Sequence, residues 1–349
     1  MMDDLDWKTV FQPVDIRGTP QLLPEYALPP VEYELIADAA VYFDEMQTPP
    51  SSDGPHAGGA SDADGTVSVS TTFFPDAALY SQLPDLILLP SDCVFFYVQT
   101  HRILSMSSNG FSGFLPVKNG NPTFTLDTTT CGQIPIISLP EPATVLNIVL
   151  HAVYDISFAR YQPTLDALLA AVDALDRYGM SVEQHCIEGS LLFTLLLAQA
   201  PIAPIEVYAV AAHHGLQELA VRTSAHSLGY PLSTLSDAHA CKMGAVYLKR
   251  LFFLHIGRVD ALRRMILAPP YPHPPTPQCD FSAQKKLTRA WGLASAYIAW
   301  DARPDVPASQ IESALRSLAE HLECEICRKA LEERTKQLVV QWSIIKRTI

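Results

Sequence analysis

Two short apolar runs set the pattern of the chain: Leu86–Leu89 and Val94–Val98, separated by Pro90-Ser91-Asp92-Cys93. Apolar runs of four or five residues around a turn-forming Pro-Ser-Asp predict a β-hairpin. The apolar positions that follow predict a short helix over Ile103–Leu115, and Ile134–Leu139 predicts one more strand, stopped at Pro140. Downstream the period changes. Val145, Ile148, Val149 and Ala152 recur at i, i+3, i+4 and i+7, with Pro142 where a first helical turn tolerates it. Leu165, Leu168, Leu169 and Val172 repeat the stripe, with Gly179 placed to end that helix. Short helices then follow, punctuated by Gly189, Pro201, Pro204, Gly215, Gly229, Pro231, Gly244 and Gly257, with PIEVYAVAAHHGLQELAVRTSAHSL as a helical pair joined at Gly215. A Pro-rich connector, Ala268–Asp280, precedes helices expected over Gln284–Trp300, Ser309–Leu322 and Cys324–Lys346, with Trp291, Trp300 and Trp342 as core anchors. Hairpin, helix, lone strand and then helices define an α+β unit, its small sheet covered by helices, followed by an all-α C-terminal extension.

This layout resembles the BTB/POZ domain, on Asp85 before the first strand, His101-Arg102-Ile103-Leu104 after the second, Ser105-Met106-Ser107-Ser108, and Phe111/Phe114. The segments VLNIVLHAVYDISF and TLDALLAAVDALDRYGM match the next helices of the family, and the downstream half looks like the helical extension of a group of fungal BTB-domain proteins. The expected division is an acidic arm over 1–80, a BTB/POZ-like domain over 81–200 and a helical extension over 201–349. The resemblance implies a non-enzymatic interaction module, an adaptor or scaffold. It would self-associate as a homodimer or capture a partner, such as a cullin-type ubiquitin ligase or a transcriptional complex. Within it, Leu104 is the residue expected in the core after the His-Arg pair.

Charge adds an asymmetry. Of a net charge of −13, residues 1–84 hold 14 acidic and 2 basic side chains, whereas from Cys241 onward 17 Lys and Arg stand against 10 Asp and Glu. Thr48–Gly65 is rich in Pro, Gly, Ser and Asp and reads as a disordered linker, Glu32–Glu45 as one short helix, and Val117–Gly132 as an insertion loop with a tight turn at Asn119-Gly120. No basic stretch interleaved with aromatics points to nucleic acid. The most apolar window, Leu191–Ala212, is broken by Pro201, Pro204 and Glu206, so no membrane span is expected. The N-terminus lacks a secretory pattern, and seven scattered cysteines make no disulfide framework. Both predict an intracellular protein, in the cytoplasm, the nucleus or both.

Nucleotide loops and H-E-x-x-H are absent, and Gly110-Phe111-Ser112-Gly113 is one residue short of a nucleophile elbow. The competing class is a hydrolase whose Ser, His and Asp converge only in space. His213-His214 reads as a helix end, where imidazole meets the negative end of the dipole. One constellation stands out: Cys324 and Cys327 at Cys-x-x-Cys spacing, with Cys279 and His273 in the connector and His321 three residues before Cys324. Three cysteines with His321 or His273 make a four-ligand set for one structural zinc. On a continuous helix His321, Cys324 and Cys327 would recur along one face.

Overall fold

The computed structural model describes residues 68–77, 79, 82–115 and 134–349. The expected arm helix, the linker and the insertion loop lie outside the described residues.

The predicted hairpin is present. Strand β2 (Leu86–Leu89) pairs antiparallel with β3 (Val94–Val98), Leu86 opposite Val98 and Leu88 opposite Phe96. The lone strand β4 (Ile136–Ser138), shorter than expected, runs parallel to β2, and β1 (Ser68–Val69) runs parallel to β3 on the other side. The sheet order is β1-β3-β2-β4. Two aspartates at the strand ends start helices. Asp85 Oδ1 accepts from Thr100 N at 2.6 Å, at the first residue of α1 (Thr100–Met106). The Asp92 carboxylate accepts from Ala143 N at 2.9 and 3.0 Å, at the start of α2 (Ala143–Val153). Each satisfies an amide that the helix cannot satisfy itself.

Helix α1 is displaced from its expected span. Gly110, Phe111, Ser112 and Gly113 all have positive φ, between 55° and 80°, so the chain after α1 turns left-handed instead of continuing a helix. Side chains hold that turn: Phe111 N donates to Ser107 Oγ at 2.7 Å, Ser112 N donates to Asn109 Oδ1 at 2.8 Å, and the Phe111 ring stacks on Tyr178 at 4.0 Å. Ile103, fully buried, takes the core position expected of Leu104, which is only partly buried.

The helices α3 (Leu165–Arg177), α4 (Val182–His185), α5 (Leu191–Gln199), α6 (Pro204–His213) and α7 (Gln217–Ser224) follow. Then come α8 (Asp237–Ile266), interrupted at Gly244, α9 (Phe281–Trp300), α10 (Ala308–Arg316) and α11 (Glu325–Ser343). The described chain is thus mixed α and β, a small four-stranded sheet with mostly helices.

Two hydrophobic cores result. The first takes in Phe73, the sheet, α2 to α7, and Met243 and Leu251 of α8. Residues 68–77, placed by composition with the acidic arm, therefore belong to the core through Phe73, and the expected boundary at residue 200 falls inside this core, since Ile205, Val207 and Tyr208 pack in it. The second core begins at Leu262 and Ile266 and contains Trp291, Leu315, Leu331 and Trp342. Trp291 donates to Ile266 O at 2.8 Å and Trp342 to Val306 O at 2.9 Å, so both indoles are anchored. Trp300 is not: it ends α9 on the solvent side, 92% exposed. No described helix is long and apolar enough to cross a membrane.

Candidate metal centre

The second core gathers three of the expected ligands. Cys279, Cys324 and Cys327 meet, and the fourth position is held by His273, not His321. The reason is a break in the helix. After α10 a 3-10 turn covers Ser317–His321, and Cys324 has extended backbone as the N-cap of α11. His321 thus lies outside the element that carries Cys327, and the shared helical face on which it was expected does not exist.

The connector positions the other two ligands. Pro272 and Pro274 flank His273, and Pro275 and Pro277 follow; each proline fixes its own φ and pushes the preceding residue toward extended backbone. Thr276 and Cys279 exchange backbone hydrogen bonds at 3.0 Å in each direction, closing a tight turn with Cys279 at its end. Asp280 then caps α9, accepting from Ala283 N at 2.7 Å. Buried Gln284, in the first turn of α9, donates to His273 O at 3.0 Å.

Cys279 Sγ and Cys327 Sγ are 3.7 Å apart, and His273 Nε2 lies 3.4 Å from Cys324 Sγ and 3.3 Å from Cys327 Sγ. A tetrahedral zinc with its usual bond lengths requires S···S edges of about 3.8 Å and S···N edges of about 3.5 Å. All four ligand atoms lie within 4.8 Å of one another. The histidine also presents the correct nitrogen. Its Nδ1 is 2.7 Å from Pro274 O, an acceptor, so Nδ1 carries the proton and the Nε2 lone pair faces the sulfurs.

The thiols are electrostatically unlike. The backbone N–H groups of Cys327 and Ile326, at the start of α11, make no conventional cap with Cys324 but favour its thiolate, as does the Cys279 thiol; its pKa falls to about 7. Burial pushes Cys327 up to about 12, and the neighbouring thiols Cys279 and Cys324 add to the rise. Cys279 is raised as well, burial first. With Cys279 and Cys327 buried and Cys324 and His273 half-buried, four protein donors enclose one point.

The other chemical candidates separate. His214 Nε2 is 2.8 Å from Asp173 Oδ1, and Lys242 Nζ is 2.8 Å from Asp173 Oδ2, so His214, just after α6, and Lys242 of α8 both meet Asp173 of α3. His101 is exposed on α1. The Gly110–Gly113 segment is the left-handed turn after α1, not a strand-to-helix elbow. Comparison with known proteins adds no relative: no family model, curated protein or solved structure matches the chain.

Proposed function

We propose that this chain is a non-enzymatic protein-interaction scaffold: a BTB/POZ-like α+β unit with a helical extension whose distal part is closed by one structural zinc. The observation that carries the reading is the enclosed Cys279, Cys324, Cys327 and His273 set. A catalytic zinc keeps an open position for water or substrate, whereas four protein donors fill a tetrahedral ion and leave it a structural role. Zinc suits three thiolates and one imidazole better than harder cations, which prefer oxygen. The BTB/POZ-like part is supported by the order of hairpin, helix, lone strand and helices in residues 86–177. Adaptor partners in this reading are a second copy of the chain, a cullin-type ligase or a transcriptional complex.

Elemental analysis of protein purified without added metal tests the zinc. About one equivalent per chain is expected, falling away in Cys324→Ser/Cys327→Ser, because a structural zinc is retained through folding. Less than about a tenth of an equivalent, unchanged in the variant, overturns it. Affinity purification tests the scaffold: co-purifying chains or self-association support it, and a monomer that retains nothing refutes it.

A further inference from the structure

We infer that the groove between the part of α8 after Gly244 and residues 345–349 docks an acidic amphipathic helix of a partner protein. This rests on the scaffold reading above and names the surface that would serve it. Val246, Lys249, Arg250, Phe253 and Gly257 fall at i, i+3, i+4, i+7 and i+11, one outward stripe of α8. Val246 and Phe253 are each 61% exposed, and Ile256 beside them is also exposed. The groove they line has a volume of about 770 Å³, within the usual range of ligand-sized clefts.

Its far wall is built, not incidental. Buried Arg258 donates to Ile345 O at 2.8 Å, Lys346 O at 2.9 Å and Pro304 O at 2.7 Å, and lies over the Trp342 ring at 4.3 Å. Ile349 N donates to Ser224 Oγ at 3.0 Å, so the segment after α11 is held at both ends. The floor is small. Gly257 sits in the helix interior with nothing within 4 Å of where a Cβ would stand. Glycine there costs about 1 kcal/mol of helix stability relative to alanine, and no neighbour within the described chain requires it. Close approach by another backbone would.

Charge selects the occupant. The lining carries Lys249, Arg250, Arg258 and Lys346 and no Asp or Glu side chain, so its side-chain charge is uniformly positive. Lys249 lies over Phe253 at 5.5 Å and Arg250 over Tyr247 at 5.1 Å, so cations border the apolar centre directly. A helix with apolar anchors at i, i+3 or i+4 and i+7, flanked by Asp and Glu, complements both features. A concave groove favours such a helix over a flat lipid surface.

The probe is a fluorescein-labelled peptide of roughly 18 residues, about five helical turns, with Leu and Phe at i, i+3, i+4 and i+7 and Glu elsewhere. Fluorescence anisotropy with the full chain should give saturable binding that weakens as salt rises. Gly257→Leu places a side chain in the groove at a position where a Cβ meets nothing within 4 Å, and should weaken binding about tenfold or more at an undiminished melting temperature. Lys249→Glu/Lys346→Glu should weaken it similarly. Absence of saturable binding, equal binding by Gly257→Leu, or stronger binding to phosphatidylserine vesicles through the same residues overturns the proposal. Affinity purification separates the two readings. Partners retained equally by wild type and Gly257→Leu, with no peptide binding, remove the groove and leave the scaffold. Peptide binding sensitive to Gly257→Leu by a monomer that retains no partner leaves the groove and removes the scaffold.

Discussion

Zinc added to metal-free protein at neutral pH should displace protons in a number fixed by the unequal thiols. At pH 7 Cys324, at about 7, is half ionised, while Cys327, at about 12, and Cys279, raised above its ordinary value, hold their protons. A bound divalent cation takes its sulfur ligands as thiolates, so coordination by all three releases about 2.5 protons per zinc. The sign follows from Cys324. As pH rises past 7 that thiol ionises before the metal arrives and the count falls toward about two; as pH drops the count rises toward about three and affinity weakens steeply. Isothermal titration calorimetry at one pH in buffers of different ionisation enthalpy reads the number from the slope of observed enthalpy. Cys327→Ser should lower it by about one. A slope of about 1.5 protons per zinc or less would refute the three-thiolate site, since Cys324 with only one further thiol accounts for that much. Because the site forms only in the folded chain, free zinc at about 1,000 times its dissociation constant should also add about 4 kcal/mol to stability.

Three further outcomes test the fold. Gly179→Ala should cost upwards of about 2 kcal/mol in urea unfolding, because Gly179 has φ +70° and a Cβ would stand 2.5 Å from the Asn109 side chain and 2.8 Å from its backbone nitrogen; a loss below about half a kcal/mol would show that this junction yields freely. Ile103→Ala should cost about 2–5 kcal/mol, and Leu104→Ala clearly less, since Ile103 is fully buried and Leu104 is not; the reverse order would restore the register read from the sequence. Asp173 is partly buried, which raises its pKa, but hydrogen bonds from His214 and Lys242 outweigh this and hold it at about 2 against an ordinary 3.8. Its folded pKa is depressed, so the stabilisation is present above pH 3.8 and is lost as pH falls toward 2. The carboxylate is over a third exposed, which reduces the effect to about 1 kcal/mol. Urea melts of Asp173→Asn between pH 6 and pH 2 should show that loss at the upper end and none at the lower end; equal loss at both would remove the ionic explanation.

What the sequence disclosed depended on whether a local pattern was also the structural cause. Leu86–Leu89 and Val94–Val98 are read correctly because an apolar run and a Pro-Ser-Asp turn determine a hairpin locally. The stripes of α2 and α3 are equally local. The end of α1 is different. Phe111 and Ser112 adopt positive φ, which their own side chains disfavour, and what holds them is a stack on Tyr178 and hydrogen bonds within residues 107–112. Trp300 misleads for a related reason. An indole is usually buried, but Trp291, Ser295 and Ile298 define the inner face of α9, and position 300 falls off it. In the metal cluster, Cys-x-x-Cys is a local signal and is legible. The choice between His273 and His321 depends on where the chain turns between α10 and α11, and no short-range pattern records that.

The placement of the ligands has its own physical logic. Helix α8 runs from one core to the other, and the second, described as 13 buried apolar residues against 42 in the first, is small for the helices it must hold. Small cores commonly need a staple in addition to apolar burial. The connector between α8 and α9 shows where: of residues 268–280 only Pro270 and Cys279 are buried, and Tyr271 stands in solvent. Apolar burial therefore cannot fix this segment, and its prolines can limit its conformations without attaching it. Attachment falls to His273 and Cys279, which meet the first turn of α11 at Cys324 and Cys327. Through one ion they would tie the entrance of α9 to the entrance of α11, the two helices whose Trp291 and Trp342 fill the second core. A metal-free chain should accordingly lose hydrogen-exchange protection first in the connector and at the starts of α9 and α11, with the sheet and α2 protected as before. Loss spread evenly through both cores would mean that the ion, where bound, stabilises the whole chain as one cooperative unit and not this corner of it.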